Sequence, residues 1–147
     1  MAETGFLLPN PEDPDNAPFW RATAAGELRV QRCSDCGRRR MPPRPMCPGC
    51  RSLAQEWEEV SGRGTIWSFV VPHPPLLPAY AEVAPYNVIL VALDEDPTLR
   101  LVGNLVARPE GSIGEIDPST IEIGDAVRVV FAPVGDVVLP RWVRVEE

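Results

Sequence analysis

Residues 33–50 read CSDCGRRRMPPRPMCPGC, and this stretch decides the fold. Cys33 and Cys36 form one Cys-x-x-Cys pair; Cys47 and Cys50 form another, ten residues on. Two residues between ligands let one tight turn aim both thiolates at a single point, with turn N–H groups donating to sulfur. Two such knuckles complete a tetrahedral four-sulfur shell, the closed arrangement of structural zinc. Gly37 and Gly49 stand where such knuckles call for a permissive backbone. Iron is a rarer occupant of the same ligands, and two disulfides are a further alternative. Redox catalysis by either pair is disfavoured, because no βαβ pattern surrounds it. With four protein ligands the metal keeps no open position for water or substrate, so its expected role is structural.

The segment is unusual for the chain that carries it. The protein has 147 residues and a formal net charge of -7, with a pI near 4.8. All 14 of its basic residues are arginine, and eight of them fall between residues 21 and 51. Only Glu27 and Asp35 oppose them there. A basic ribbon on an acidic protein is a charge asymmetry. It reads either as a solvated face paired to the chain's own acids, or as a contact for an acidic partner or a phosphorylated ligand, since the arginine fork suits phosphate. General nucleic-acid binding is disfavoured by the low pI. No run of about 18 apolar residues is present, so no membrane span is expected. The N-terminus has no basic n-region or long apolar h-region. The expected location is the cytoplasm, where four cysteines at this spacing favour metal over disulfides.

Proline, at 18 residues against an average of roughly 5% of positions, turns the chain away from long helices. Residues 1–14 read as an extended arm. From 15 to 25 the signals predict a helix: Asp15 or Asn16 as cap, Pro18 in the first turn, Phe19 and Trp20 as anchors, Gly26 as stop. ELRVQRC (27–33) alternates and predicts a strand into the first knuckle. After Cys50 six β-branched or aromatic runs follow: QEWEEV, GTIWSFVVP, YNVILVALD, LRLVGNLVA, AVRVVFAPV and VVLPRWVRV. Gly, Pro or Asp separates each from the next, which predicts a small barrel or sandwich of five or six strands. SGRG (61–64) and LDEDPTL (93–99) read as hairpin turns. The connection 109–125 is expected to hold one helical turn after Asp117-Pro118. The expected class is therefore mainly β: a helix and ribbon over 15–54, then a barrel over 55–147.

No catalytic set emerges. His73 is the sole histidine, and no nucleophile partners it in sequence; it is either a local loop residue or a contact. No phosphate-binding loop, dinucleotide fingerprint or nucleophile elbow is present. HPPLLPAYAEVAPY (73–86) places Leu76, Leu77 and Tyr80 in a proline-stiffened loop. That loop either caps its own barrel or docks a partner.

Taken in order, PFWRATAAGEL, the cysteine box, SGRGTIWSFVVPH, PYNVILVALDEDPTLRLVGNL and IEIGDAVRVVFAPVGDVVLPRW resemble a bacterial and archaeal family of zinc-ribbon/OB-fold proteins associated with acyl-CoA metabolism. The resemblance implies an N-terminal helix, a rubredoxin-like zinc ribbon held by Cys33, Cys36, Cys47 and Cys50, and a C-terminal OB-fold barrel. It further implies a non-catalytic accessory subunit of a thiolase-like enzyme, such as a thiolase or a steroid or lipid side-chain aldolase. Such a subunit is expected in a heterotetramer, helping to form or shield an acyl-CoA site whose CoA ester is held mainly by the partner. The candidate contacts are Arg38, Arg39, Arg40, Arg44, His73, Leu76, Leu77, Tyr80, Phe19 and Trp20. The alternative function is a ribbon/OB module for single-stranded nucleic acid.

Overall fold

A computed structural model describes residues 5–145. The first helix, α1 (Ala17–Ala24), is short and is held by packing rather than by propensity. Asn16 precedes it without donating or accepting a side-chain cap bond, and Pro18 sits in the first turn. At the other end Gly26 takes φ +77°, and the Glu27 N–H closes back on the Ala22 carbonyl. The helix lays Phe19, Ala22 and Thr23 against the core.

Strands β1 (Leu28–Cys33), β2 (Arg39–Arg40) and β3 (Gln55–Val60) form an antiparallel sheet in the order β2-β1-β3. Strand β3, expected with the barrel, hydrogen-bonds along its whole length to β1, so the ribbon sheet runs on to Val60. The expected hairpin at 61–64 is instead a corner between two sheets, because β3 and the following β4 (Arg63–Val70) do not pair. Gly62 makes the corner possible. It has φ +79°, and a Cβ there would lie 2.4 Å from Cγ1 of Val129.

The second sheet has the order β6-β5-β4-β7-β8, with β5 (Val88–Leu93), β6 (Arg100–Gly103), β7 (Ala126–Val134) and β8 (Val137–Arg144). All its ladders are antiparallel. A parallel bridge between Leu105 and Trp142 joins its two edges. The Val106 N–H donates to the Trp142 carbonyl at 2.8 Å, and the Trp142 N–H to the Asn104 carbonyl at 3.0 Å. Closure in this strand order makes the OB-fold barrel. Asn87, fully buried, pins the seam: its Nδ2 donates to the Leu105 carbonyl and its Oδ1 accepts from the Leu105 N–H.

The six candidate strand runs after Cys50 all become strands, and LDEDPTL becomes the β5–β6 hairpin, with Asp96 accepting from Thr98. A 3-10 turn at Pro118–Thr120 follows Asp117, whose carboxylate accepts from the Ser119 N–H. Two elements were not expected: β2, and a single helical turn α2 (Pro78–Ala81) inside the proline-rich loop.

One core runs through both sheets. Leu28, Val30 and Val60 from the ribbon side join Ile66, Ile89, Val91, Leu101 and Trp142 from the barrel. A second cluster, centred on Tyr86, Val106, Ile113, Val130 and Val143, is covered by Phe6, Leu76 and Tyr80. The described part of the N-terminal arm is thus packed: Phe6 lies tilted against Tyr80 with ring centroids 4.9 Å apart, and the Leu7 N–H donates to the Tyr80 hydroxyl.

Candidate functional site: a four-cysteine knuckle and an apolar groove

The two knuckles are built alike. The Cys33 N–H donates to the Arg38 carbonyl and the Gly37 N–H to the Cys33 carbonyl; the Cys47 N–H donates to Ser52 and the Arg51 N–H to Cys47 at the same spacings. Each returns N–H groups to sulfur, Cys36 to Cys33 at 3.5 Å and Gly49 to Cys47 at 3.4 Å. The left-handed position is filled by Gly37 in the first knuckle (φ +78°) and by Arg51 in the second (φ +66°). Gly49, expected to supply that freedom, does not take a positive φ; it lies beneath Arg38, whose Nη1 would be 3.1 Å from a Cβ there.

The four Sγ atoms lie within 4.8 Å of one another, with Cys33–Cys50 at 3.5 Å and Cys36–Cys47 at 3.6 Å. A tetrahedral thiolate shell with metal–sulfur bonds of about 2.3 Å has edges of about 3.8 Å, so the cluster fits a metal. The surroundings favour thiolate at one end of the cluster. The Cys36 N–H draws the Cys33 thiol below its ordinary pKa. The N–H groups of Cys50 and Gly49 bring Cys47 down to about 6. Cys50 receives the Ser52 N–H, yet the sulfur of Cys33, burial and the other two sulfurs together push it up to about 12. Four crowded sulfurs cannot all ionise by themselves; a dication between them removes that conflict.

The arginines between the knuckles divide into two kinds. Arg39 forks onto Glu58 at 2.8 and 3.0 Å and donates to the Glu95 carbonyl, tying the ribbon to the β5–β6 hairpin. Arg40, expected as a surface contact, is buried inside the ribbon, 5% exposed. It donates to Oε1 of Gln31 and Gln55 and to the Arg44 carbonyl, while the Arg44 N–H also donates to Gln31. This network holds the loop between β2 and Cys47, and it leaves Arg40 no access to a partner. Arg38 and Arg44 remain exposed. Gln31 was missed in the sequence. Its place two residues before Cys33 on a strand was the signal, since it shares the face turned toward the second knuckle.

Phe19, Trp20, Leu76, Leu77 and Tyr80, far apart in sequence, line one groove of about 850 Å³. Met41 and Pro42 from the ribbon loop and Val88, Leu101 and Leu139 from the barrel complete its walls. No acidic residue lines it; its charged side chains are Arg100 and Arg141. Its mouth is apolar and open, with Leu7 75%, Leu77 52% and Val102 67% exposed. Arg100 also lies over the exposed Trp67 ring at 3.8 Å. His73 is exposed and stands outside the groove, and so do Arg38 and Arg44. Sequence reasoning missed Arg141, a strand residue whose burial depends on barrel closure.

Two family models match in succession: the ChsH2 rubredoxin-like zinc ribbon domain over residues 20–56 and the ChsH2 C-terminal OB-fold domain over 57–132. The chain belongs to the ChsH2 family. Its relatives include the 3-oxo-4,17-pregnadiene-20-carboxyl-CoA hydratase alpha subunit of Mycobacterium tuberculosis, 37% identical over 128 residues, which covers 87% of this chain and 37% of that protein. A probable enoyl-CoA hydratase alpha subunit of Thermomonospora curvata is 40% identical over 80% of this chain and 34% of its own length. The chain therefore spans about a third of these two relatives. A DUF35 domain-containing scaffold protein of Methanothermobacter thermautotrophicus is 36% identical, with 73% of each chain covered. Among solved structures, a chain described as Ltp2-ChsH2(DUF35) aldolase superposes with a TM-score of 0.78 at 35% identity, covering 92% of this chain and 98% of that one. These ChsH2-family relatives are enzyme subunits and scaffold proteins, consistent with an accessory subunit.

Proposed function

We propose that the protein is a non-catalytic accessory subunit of a thiolase-like acyl-CoA enzyme, an aldolase or thiolase acting on steroid or lipid side chains. The observation that carries the proposal is the groove. Five apolar residues from the helix and the proline-rich loop converge on it, and its rim exposes Leu7, Leu77 and Val102. Contiguous exposed apolar surface of this kind marks an interaction site. The likeness to a chain from an Ltp2-ChsH2 aldolase supports the same reading. The cysteine cluster, with zinc as its occupant, is the scaffold that holds Met41 and Pro42 in the groove wall. In the assembly, which we propose to be a heterotetramer in the cytoplasm, the partner's surface closes the groove and holds the CoA part of the ester.

Chemistry supports a silent role. Among the described residues the clustered cysteines are committed to one closed site, and His73 stands away from the groove. The test is purification of the full chain from its native host, with the co-eluting larger subunit identified by mass spectrometry. A thiolase-fold partner is expected, with acyl-CoA turnover by the complex and none by the chain alone. Leu77→Asp should abolish co-elution without lowering metal content. Recovery of a lone, fully active chain sinks the reading.

A further inference from the structure

The groove has an uncompensated charge inside it. Arg141, on β8, lines the wall and is only partly accessible. Its Nε is buried with no hydrogen-bond partner, and its Nη1 has a single long contact, 3.3 Å to the Gly111 carbonyl. Every ion pair among the described residues involves other arginines: Arg29, Arg32, Arg39, Arg108 and Arg144. Burial without a counter-charge depresses the pKa of this guanidinium. A cation taken out of water is costly unless it is paired, and a guanidinium fork matches one carboxylate through two parallel bonds. The other groove arginine, Arg100, already lies against Trp67.

Around Arg141 the walls are apolar. Five separate pieces of chain build them: the arm at Leu7, α1, the ribbon loop at Met41, the proline-rich loop and the barrel strands. The volume, about 850 Å³, falls within the roughly 300–1,000 Å³ of sites that enclose small ligands, which are likewise apolar with a few placed polar groups. We propose that the groove binds a small amphipathic anion, an apolar body bearing one carboxylate, with the carboxylate held by Arg141. This goes further than the docking reading, because the chain's own side chains bind the ligand and no partner is needed to observe it.

The test is calorimetric titration of the full chain with dodecanoate, kept below its micelle concentration, and in parallel with dodecanol. One saturable site for dodecanoate is expected, with dodecanol weaker by about tenfold or more, the scale of a charge-assisted hydrogen bond. Arg141→Met should remove that preference by weakening dodecanoate alone, and Arg141→Lys should restore part of it. Val102→Asp at the rim should weaken both ligands. Melting curves and metal content verify that each variant folds. Should Arg141→Met not fold, the dodecanoate-to-dodecanol ratio on the unaltered chain still decides. Absence of saturable binding, equal affinity for acid and alcohol, or an Arg141→Met variant that keeps the preference overturns the proposal. A groove reserved for a partner's polypeptide would give the first of these results, while co-elution of the larger subunit would persist.

Discussion

The ribbon and the groove solve opposite problems with neighbouring residues. In the ribbon most polar groups are answered locally, Arg39 by Glu58, Arg40 by Gln31 and Gln55, the cysteines by one another and by knuckle N–H groups, although Arg32 Nε and Arg40 Nη1 are buried without a partner. In the groove apolar side chains face outward at its mouth, and one buried guanidinium nitrogen has no partner. What separates the two is the apolar mouth: polar side chains that bond one another make a frame, whereas exposed apolar side chains are where another molecule gains free energy by arriving. The proposed roles follow that contrast, the metal for stability and the groove for recognition, although Met41 and Pro42 belong to both.

The contrast is broken most severely at the metal. Cys47→Ser should reduce bound zinc well below one per chain and unfold the ribbon, because metal affinity in such knuckles is folding free energy, on the order of 10 kcal/mol in small zinc domains. Metal analysis with a chelator titration measures it; a variant that keeps full zinc and its melting temperature would contradict the structural role. Acid acts on the same site. Protons compete with metal for all four sulfurs, and below about 6 even the Cys47 thiol is protonated. Zinc retention should therefore fall as pH drops through about 6.

Next in size is Arg40→Ala, which removes three bonds of the buried network, leaving Gln31 with only Gln55 and the Arg44 N–H. A loss of about 2–3 kcal/mol is expected, read by denaturant unfolding, with groove binding weakened in step because the Met41–Pro42 wall relaxes. Asn87→Ala should cost about as much by freeing the Leu105 backbone at the barrel seam, while zinc content stays unchanged.

A smaller effect attaches to Glu58. Arg39 holds its carboxyl below the usual value, so the pair stabilises above the unfolded carboxyl pKa and its contribution is lost as pH falls through the depressed one. Glu58→Gln should cost about 1 kcal/mol at pH 7, given partial exposure, and less at pH 3; equal costs at both would remove the ion pair as cause. Smallest in stability and largest in function is Leu77→Asp at the exposed rim: a melting temperature within a degree or two of the parent, but no co-elution with the larger subunit.

The ribbon was legible because ligand spacing is a local code, and the strands because alternation and turn residues punctuate them. What stayed hidden depends on three-dimensional closure. The 61–64 turn reads like a hairpin, and only the separate pairing of β3 and β4 reveals a corner. Three successive arginines look like one basic patch, yet the pleat of β2 sends Arg40 inward and Arg39 to the opposite face, while Arg38 precedes the strand and stays exposed. Phe19, Trp20, Leu76, Leu77 and Tyr80 could be named as apolar anchors, but their common groove arises only when α1 and the loop meet on the barrel. Arg141 gave no signal at all, since an arginine in a strand is ordinarily solvated.

The likeness of the two knuckles has a bearing on how the protein assembles. Each is a hydrogen-bonded hook closed over about five residues that offers two sulfurs to one ion. Capture by one hook reduces the rest of the task to shutting a ten-residue gap, a modest entropic step. The arginine-proline segment that fills this gap is stiff and is drawn inward by Gln31. A metal held by both hooks also fixes the groove's ribbon-side wall, because Met41 and Pro42 lie between them.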